Sequence, residues 1–219
     1  MPRLLFEKKG SSVWISHLDL MRLFQRAFKR ADLLLTHTQG YNPRPSVSIA
    51  LPLSVGVESN CELLDFDLYG DVVANDEIRD RLNATLIEGV RVLEVFDAGR
   101  KLRDLALLEC IVSLEYDTGV AEHAVAQLKA LFAQEHVVVP KRSKSGVQDQ
   151  DIIPMIRSLE VVQTDNNTVE LRSVVCCQNP TLNPMQLVSA IELHTPDLKP
   201  DFAKCMRIEI FDQNKTIFR

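Results

Sequence analysis

Arg22, Arg26 and Arg30 follow one another at four-residue steps, and Lys29 stands beside the last of them. On an α-helix, residues four apart lie one above another on the same side. Like charges stacked in this way repel by roughly 0.2–0.5 kcal/mol per pair. A row of phosphates held along the helix would turn that repulsion into attraction. The alternative is a plain solvated face, since cations near a helix C-terminus are favoured by its dipole. The segment HTQGYNPRP, residues 37–45, follows. Gly40 opens backbone conformations closed to other residues, while Pro43 and Pro45 fix φ and hold Asn42 and Arg44 extended. A stiff loop of this kind lowers the ordering cost of binding. Arg44 can fork onto a phosphate, Tyr41 can stack on a base, and Asn42 can read a base edge. The alternative here is a structural turn with Tyr41 as a partly buried anchor. Further along, Lys141, Arg142 and Lys144 form a smaller basic cluster, either a clamp for nucleic acid or a solvated loop.

Catalytic signatures are sparse. The chain has no HExxH, GxSxG, GxGxxG or phosphate-loop motif. Its five histidines are scattered, and His37 with Tyr41 is the local pair that suits metal-free acid–base cleavage of RNA. Cys61, Cys110, Cys176, Cys177 and Cys205 show no CxxC spacing, so neither a metal nor an iron–sulfur cofactor is expected. The thiols read as reduced, small apolar residues. In residues 51–59, Ser54 and Ser59 are possible anion donors, although core packing of Leu51, Leu53, Val55 and Val57 accounts for most of that segment.

The charge is uneven. The net charge of −5 divides into +4 for residues 1–60, with eight Lys/Arg against four Asp/Glu, and −9 for the remainder. An acidic chain with a basic N-terminal quarter suits one anion-binding face. At 46% hydrophobic and 25% charged over 219 residues, the composition is that of an ordinary globular protein. No apolar run approaches a membrane span, and the N-terminus lacks a secretory signal. A cytoplasmic protein without membrane contact is the expectation.

The elements that must position these residues follow from periodicity. Residues 3–10 read as a strand, and 12–16 as a second short one. Residues 16–32 read as a helix that begins in a Ser16/Asp19 capping box and carries an apolar face of Leu20, Met21, Phe24, Ala27 and Phe28. Residues 46–58 read as an extended run, in which Pro52 marks an edge or bulge, and 61–70 as a strand alternating about Leu64, Phe66 and Leu68. Residues 75–86 read as a helix capped by Asn75, and 89–97 as a strand. The order β-α-β-β-α-β is the ferredoxin-like unit. After a linker at 99–104 it recurs more loosely. Strands are expected at 107–117, 136–142, 156–163, 168–177 and 205–213, and residues 144–151 as a polar interruption. A helix at 120–134 would bury Val125, Leu128 and Phe132. A second, at 183–194, would be capped by Asn183 and Gln186 around Pro184. The expectation is an α+β protein of two tandem ferredoxin-like units with antiparallel sheets, residues 1–99 and 104–219.

FEKKG, WISHLDLMRLFQRAFKRA, TQGYNPRPSVSIALPLSVGVES and ELLDFDL together resemble the radical-SAM-linked protein family, densely over residues 4–69. VPKRSKSG and IPMIRSLEV resemble it further on. That domain of unknown function is found alone or fused to radical-SAM enzymes that carry a cobalamin-binding-like domain. The resemblance implies a bacterial accessory module. This chain lacks a CxxxCxxC motif, so any radical-SAM enzyme it serves is a separate chain. The two-unit architecture also resembles tandem ferredoxin-like RNA-binding proteins, including CRISPR repeat-processing endoribonucleases. The leading expectation is a non-catalytic accessory protein. It would bind transfer or ribosomal RNA through Arg22, Arg26, Lys29, Arg30, Tyr41, Asn42 and Arg44, and assist a radical-SAM-type enzyme. The alternatives are a module that docks on such an enzyme without nucleic acid, and a metal-independent ribonuclease using His37 and Tyr41.

Overall fold

The first strand, β1 (Pro2–Lys8), is largely buried on both faces and lies central in its sheet, paired antiparallel with β3 (Val57–Phe66) and β4 (Val90–Asp97). This is a computed structural model that describes residues 2–143 and 146–219, with Arg142 and Ser143 described by backbone alone. The chain divides into two units. One comprises residues up to Asp104 together with Ile217–Arg219, and the other Leu105–Thr216. In the first unit, the short β2 (Val47–Ile49) pairs with β3, so the antiparallel strand order is β4-β1-β3-β2. Helices α1 (His17–Arg30) and α2 (Asn75–Asn83) complete it. Its core joins Leu4 and Phe6 of β1, Leu20, Phe24 and Phe28 of α1, and Leu63, Leu64 and Phe66 of β3, all buried. Phe6 meets Phe24 edge-on at 4.7 Å between ring centroids.

In the second unit, β5 (Leu107–Glu115) pairs antiparallel with β9 (Thr168–Cys176) and with β10 (Phe202–Phe211), and β9 pairs with β8 (Ile156–Gln163). The order β10-β5-β9-β8 repeats the pattern of the first sheet. Two helices, α3 (Ala124–Phe132) and α4 (Met185–His194), are added to it. The α+β class expected from the sequence is what the structure shows, with antiparallel pairing throughout the described ladders.

Several local expectations are corrected. Residues 12–16 are not a strand. Gly10, at φ +58°, turns the chain into a 3-10 helix, Gly10–Trp14. Ser12 secures that turn, its hydroxyl lying within hydrogen-bonding distance of both the Lys9 and Gly89 carbonyls. In the extended run only Val47–Ile49 and the start of β3 at Val57 and Glu58 are strand, and Val55 is exposed while Leu51, Leu53 and Val57 are buried. Asn75 is the first helical residue and not the cap, which falls on Ala74 without a side-chain hydrogen bond. The buried face of α3 is Ala124, Leu128 and Leu131. The polar stretch is a strand, β7 (Gly146–Asp151), which forms a separate hairpin with β6 (Val138–Ser143). Its polar side chains are consistent with a ribbon exposed over most of β7. The hydrogen bonds expected around Pro184 do form, although Pro184 itself takes the cap position of α4: Asn183 Oδ1 accepts from the Met185 N–H, and Gln186 Oε1 accepts from the Asn183 N–H. All five cysteines are buried thiols outside any disulfide.

Gly89 precedes β4 with φ +83°, and a Cβ there would stand 2.9 Å from Ser12 Oγ and closer still to the Lys9 carbonyl oxygen. The site therefore excludes any side chain and demands a left-handed backbone. Gly89→Ala is expected to cost about 2–3 kcal/mol, read as a lowered urea midpoint. A cost near zero would mean that the Gly10–Trp14 turn is free to move away.

Candidate nucleic-acid interface

Helix α1 starts where the sequence places it. The Ser16 hydroxyl accepts from the Asp19 N–H at 3.2 Å and donates to the Asp19 carboxylate at 2.8 Å. Arg22 pairs with the other carboxylate oxygen at 2.9 Å. The Ser16 hydrogen bond, with Arg22 next to it, holds the Asp19 carboxyl below the usual carboxylate range. The Arg22–Asp19 pair is well exposed on both sides, so it constrains Arg22 little and can exchange for another anion. Leu20, Phe24, Ala27 and Phe28 face the core, and Arg22, Arg26, Lys29 and Arg30 face solvent.

The connection between α2 and β4, residues 84–89, forms the opposite wall. Arg30 donates to the Thr85 carbonyl at 2.7 Å, and the Thr85 hydroxyl donates to the Ala27 carbonyl. Between α1 and this connection lies a groove of ≈ 470 Å³, lined by Ile15, Asp19, Arg22, Leu23, Arg26, Arg30 and Ile87. The floor near Ile15 is held from inside the unit: Lys8, fully buried, donates to the Ile15 carbonyl at 3.0 Å. The three arginines of the sequence motif therefore share one groove. Arg30 is committed to a backbone carbonyl, Arg22 has an exchangeable partner, and Arg26 and Lys29 have no hydrogen-bond or ion-pair partner among the described residues.

Loop 38–44 is a closed tip. The Thr38 N–H donates to the Arg44 carbonyl, and the Arg44 N–H donates to the Thr38 hydroxyl. Below the tip, His37 bridges Pro45, and Thr36 bonds both Ser46 and Asp67. Gly40, at φ +137°, turns the chain. Tyr41 is fully exposed, so it is not the half-buried anchor of the turn reading. Asn42 and Arg44 are exposed as well. None of these three lines the groove. No hydrogen bond joins the His37 and Tyr41 side chains among the described residues.

The other candidates lie elsewhere. Lys141, in the second unit, donates to the Thr181 carbonyl at 3.3 Å. Lys144 and the side chain of Arg142 lie outside the described residues. Ser59 is fully buried, its hydroxyl oxygen accepting from the Cys61 N–H, and burial keeps it from an anion in solvent. A second groove, of ≈ 450 Å³ between α3 and β8, contains none of the expected site residues. Among the described residues, no three of His, Cys, Asp and Glu converge as a metal site requires. No described helix is long and apolar enough to cross a membrane. Sequence periodicity missed Ile15 and Ile87, the groove's apolar lining. Ile87 is brought to α1 by tertiary packing alone, and Ile15 lay within a segment expected as strand.

A family model described as "Uncharacterized protein conserved in bacteria (DUF2344)" matches residues 2–184. The chain belongs to that family. This DUF2344 chain has no match among curated proteins. Its fold is similar to that of a chain in the crystal structure of a Cbf5-Nop10-Gar1 complex. There the TM-score is 0.55 at 13% identity, covering 97% of this chain and 50% of that one. It is also similar to a chain in the structure of an H/ACA RNP bound to a substrate RNA containing 2'-deoxyuridine. That match has a TM-score of 0.50 at 11% identity, covering 94% of this chain and 46% of the other. The DUF2344 chain thus spans about half the length of these solved structures, and the likeness is one of fold.

Proposed function

We propose that the chain is a non-catalytic accessory protein that binds RNA, transfer or ribosomal, on the α1 face and assists a separate modifying enzyme. The observation that carries this reading is the groove itself: Arg22, Arg26 and Arg30 converge on one cleft, with Arg26 and Lys29 solvent-facing and without a partner among the described residues. Affinity for RNA rests chiefly on such cationic contacts to phosphate. The exposed Tyr41, Asn42 and Arg44 at a hydrogen-bonded loop tip supply stacking and base-edge contacts. Lys141 is a lesser contact in the second unit. The fold likeness to a chain from an RNP structure containing substrate RNA agrees with this direction. The assignment of the modifying enzyme to the radical-SAM class rests on the sequence resemblance alone.

Binding of total RNA over a salt series tests the reading. The logarithm of affinity should fall linearly with the logarithm of salt concentration. Arg22→Ala/Arg26→Ala/Arg44→Ala should weaken binding on the order of a hundredfold at low salt and flatten the slope by about 2, near 0.7 per lost phosphate contact. If the wild type and this variant bind equally poorly, RNA is not the ligand. A pulldown that returns one protein and no nucleic acid would then move the face to a protein partner.

A further inference from the structure

Trp14 is the single tryptophan of the chain, and it is 68% exposed. It ends the 3-10 turn and directly precedes Ile15, which lines the arginine groove. The ring has a floor. The Gly56 N–H donates to the Val13 carbonyl at 2.9 Å, and the ring edge lies 3.8 Å from where a Cβ on Gly56 would stand. Leu18, 66% exposed, lies four residues before Arg22 and so heads the same helical row as Arg22, Arg26 and Arg30. Val55, 51% exposed, neighbours Gly56. The cationic row is thus continued at its N-terminal end by exposed Leu18, and the residue before the groove-lining Ile15 is an exposed, supported aromatic ring.

Two kinds of RNA would use this surface differently. A duplex presents phosphates to the arginines, but its base faces are stacked on one another and offer nothing to Trp14. A single strand presents both. A cationic groove that tracks the backbone, beside a ring on which a base stacks, is the physical pattern of single-strand binding. We propose that the α1 groove takes a single-stranded RNA segment, with one base stacked on Trp14 and the adjoining phosphates running along Arg22 and Arg26. This rests on the RNA-binding reading above and names the class of RNA.

Because the chain has one tryptophan, indole emission excited to the red of tyrosine absorption reports on Trp14 alone. The full chain is titrated with an unlabelled oligouridylate of about 12 nucleotides, within the span that such grooves cover, and with a blunt RNA duplex of equal length. Anisotropy of end-labelled copies measures binding separately. The single strand should quench Trp14 emission and bind more tightly than the duplex. Trp14→Ala should weaken single-strand binding roughly 5- to 150-fold and leave duplex binding unchanged. Trp14→Phe, which keeps a stacking face, should retain most of the affinity and controls for misfolding. Single-strand binding with unchanged emission and a wild-type-like Trp14→Ala would overturn the stacking inference and leave the RNA reading standing. Tighter binding of the duplex would also overturn it. No binding of either RNA at low salt would end both readings. Quenching by polyglutamate as strong as by RNA would assign the face to an acidic protein.

Discussion

Asp65→Ala is expected to remove about 3–5 kcal/mol of stability, read as a lower urea midpoint at unchanged slope. Arg3 and Asp65 face each other directly in the β1–β3 ladder. The guanidinium donates twice to the carboxylate, at 2.6 and 3.1 Å, and once to the Arg100 carbonyl. The Arg3 side chain is 1% exposed and that of Asp65 14%. Neither charge therefore has much access to water. Deleting Asp65 leaves a buried cation with one carbonyl partner, and the desolvation of that charge is no longer offset. Phe218 adds to the arrangement, with the Arg3 guanidinium 5.4 Å and that of Arg100 4.6 Å from its ring centre. The pair itself need not stabilise the fold relative to apolar residues. Arg3→Met with Asp65→Leu is accordingly expected to recover most of the loss. A single variant within about 0.5 kcal/mol of wild type would show that water reaches the pair.

The second large effect is expected from Phe24→Ala, about 3–5 kcal/mol. Phe24 is fully buried on the face of α1 opposite the arginines and packs edge-on against Phe6 at an interplanar angle of 65°. Truncation removes the transfer free energy of the ring, opens a cavity between helix and sheet, and forfeits roughly 0.5–1.5 kcal/mol of ring–ring contact. The same residue holds the binding helix in place, so loss of stability and loss of RNA affinity should appear together. Urea denaturation and hydrogen exchange of α1 amides measure the first, and anisotropy the second. A cost below about 1 kcal/mol would mean that Leu20 and Phe28 alone secure the helix.

The helix that carries the candidate site was the most legible element. Its start is set by Ser16 and Asp19, and its two faces by the three- and four-residue spacing of Phe24 and Phe28 against that of Arg22, Arg26 and Arg30. These are interactions between residues close in the chain, and spacing alone reveals them. The same holds for the hydrogen bonds of Asn183 and Gln186 around Pro184. Residues 12–16 were misread because an alternation of Val13 and Ile15 suits a strand. The turn is imposed by Gly10 and by Ser12 reaching the carbonyl of Gly89, far along the chain. The second strand of the β6–β7 hairpin was illegible for a related reason: β7 has no apolar alternation, since neither of its faces lies in a core.

By itself, then, the sequence determined the α+β class, the order of the main elements, the basic row on α1 and the stiff loop with Tyr41, Asn42 and Arg44. All of these rest on local periodicity, capping and the fixed φ of proline. Only the tertiary structure decided that residues 84–89 wall the arginine row into a groove with Ile87, that Arg30 is spent on the Thr85 carbonyl, and that Trp14 stands exposed. It also decided that Arg3 is a buried ion-pair partner of Asp65. Each of these joins residues distant in the chain, and strand register and helix packing bring them together without leaving a mark on local spacing.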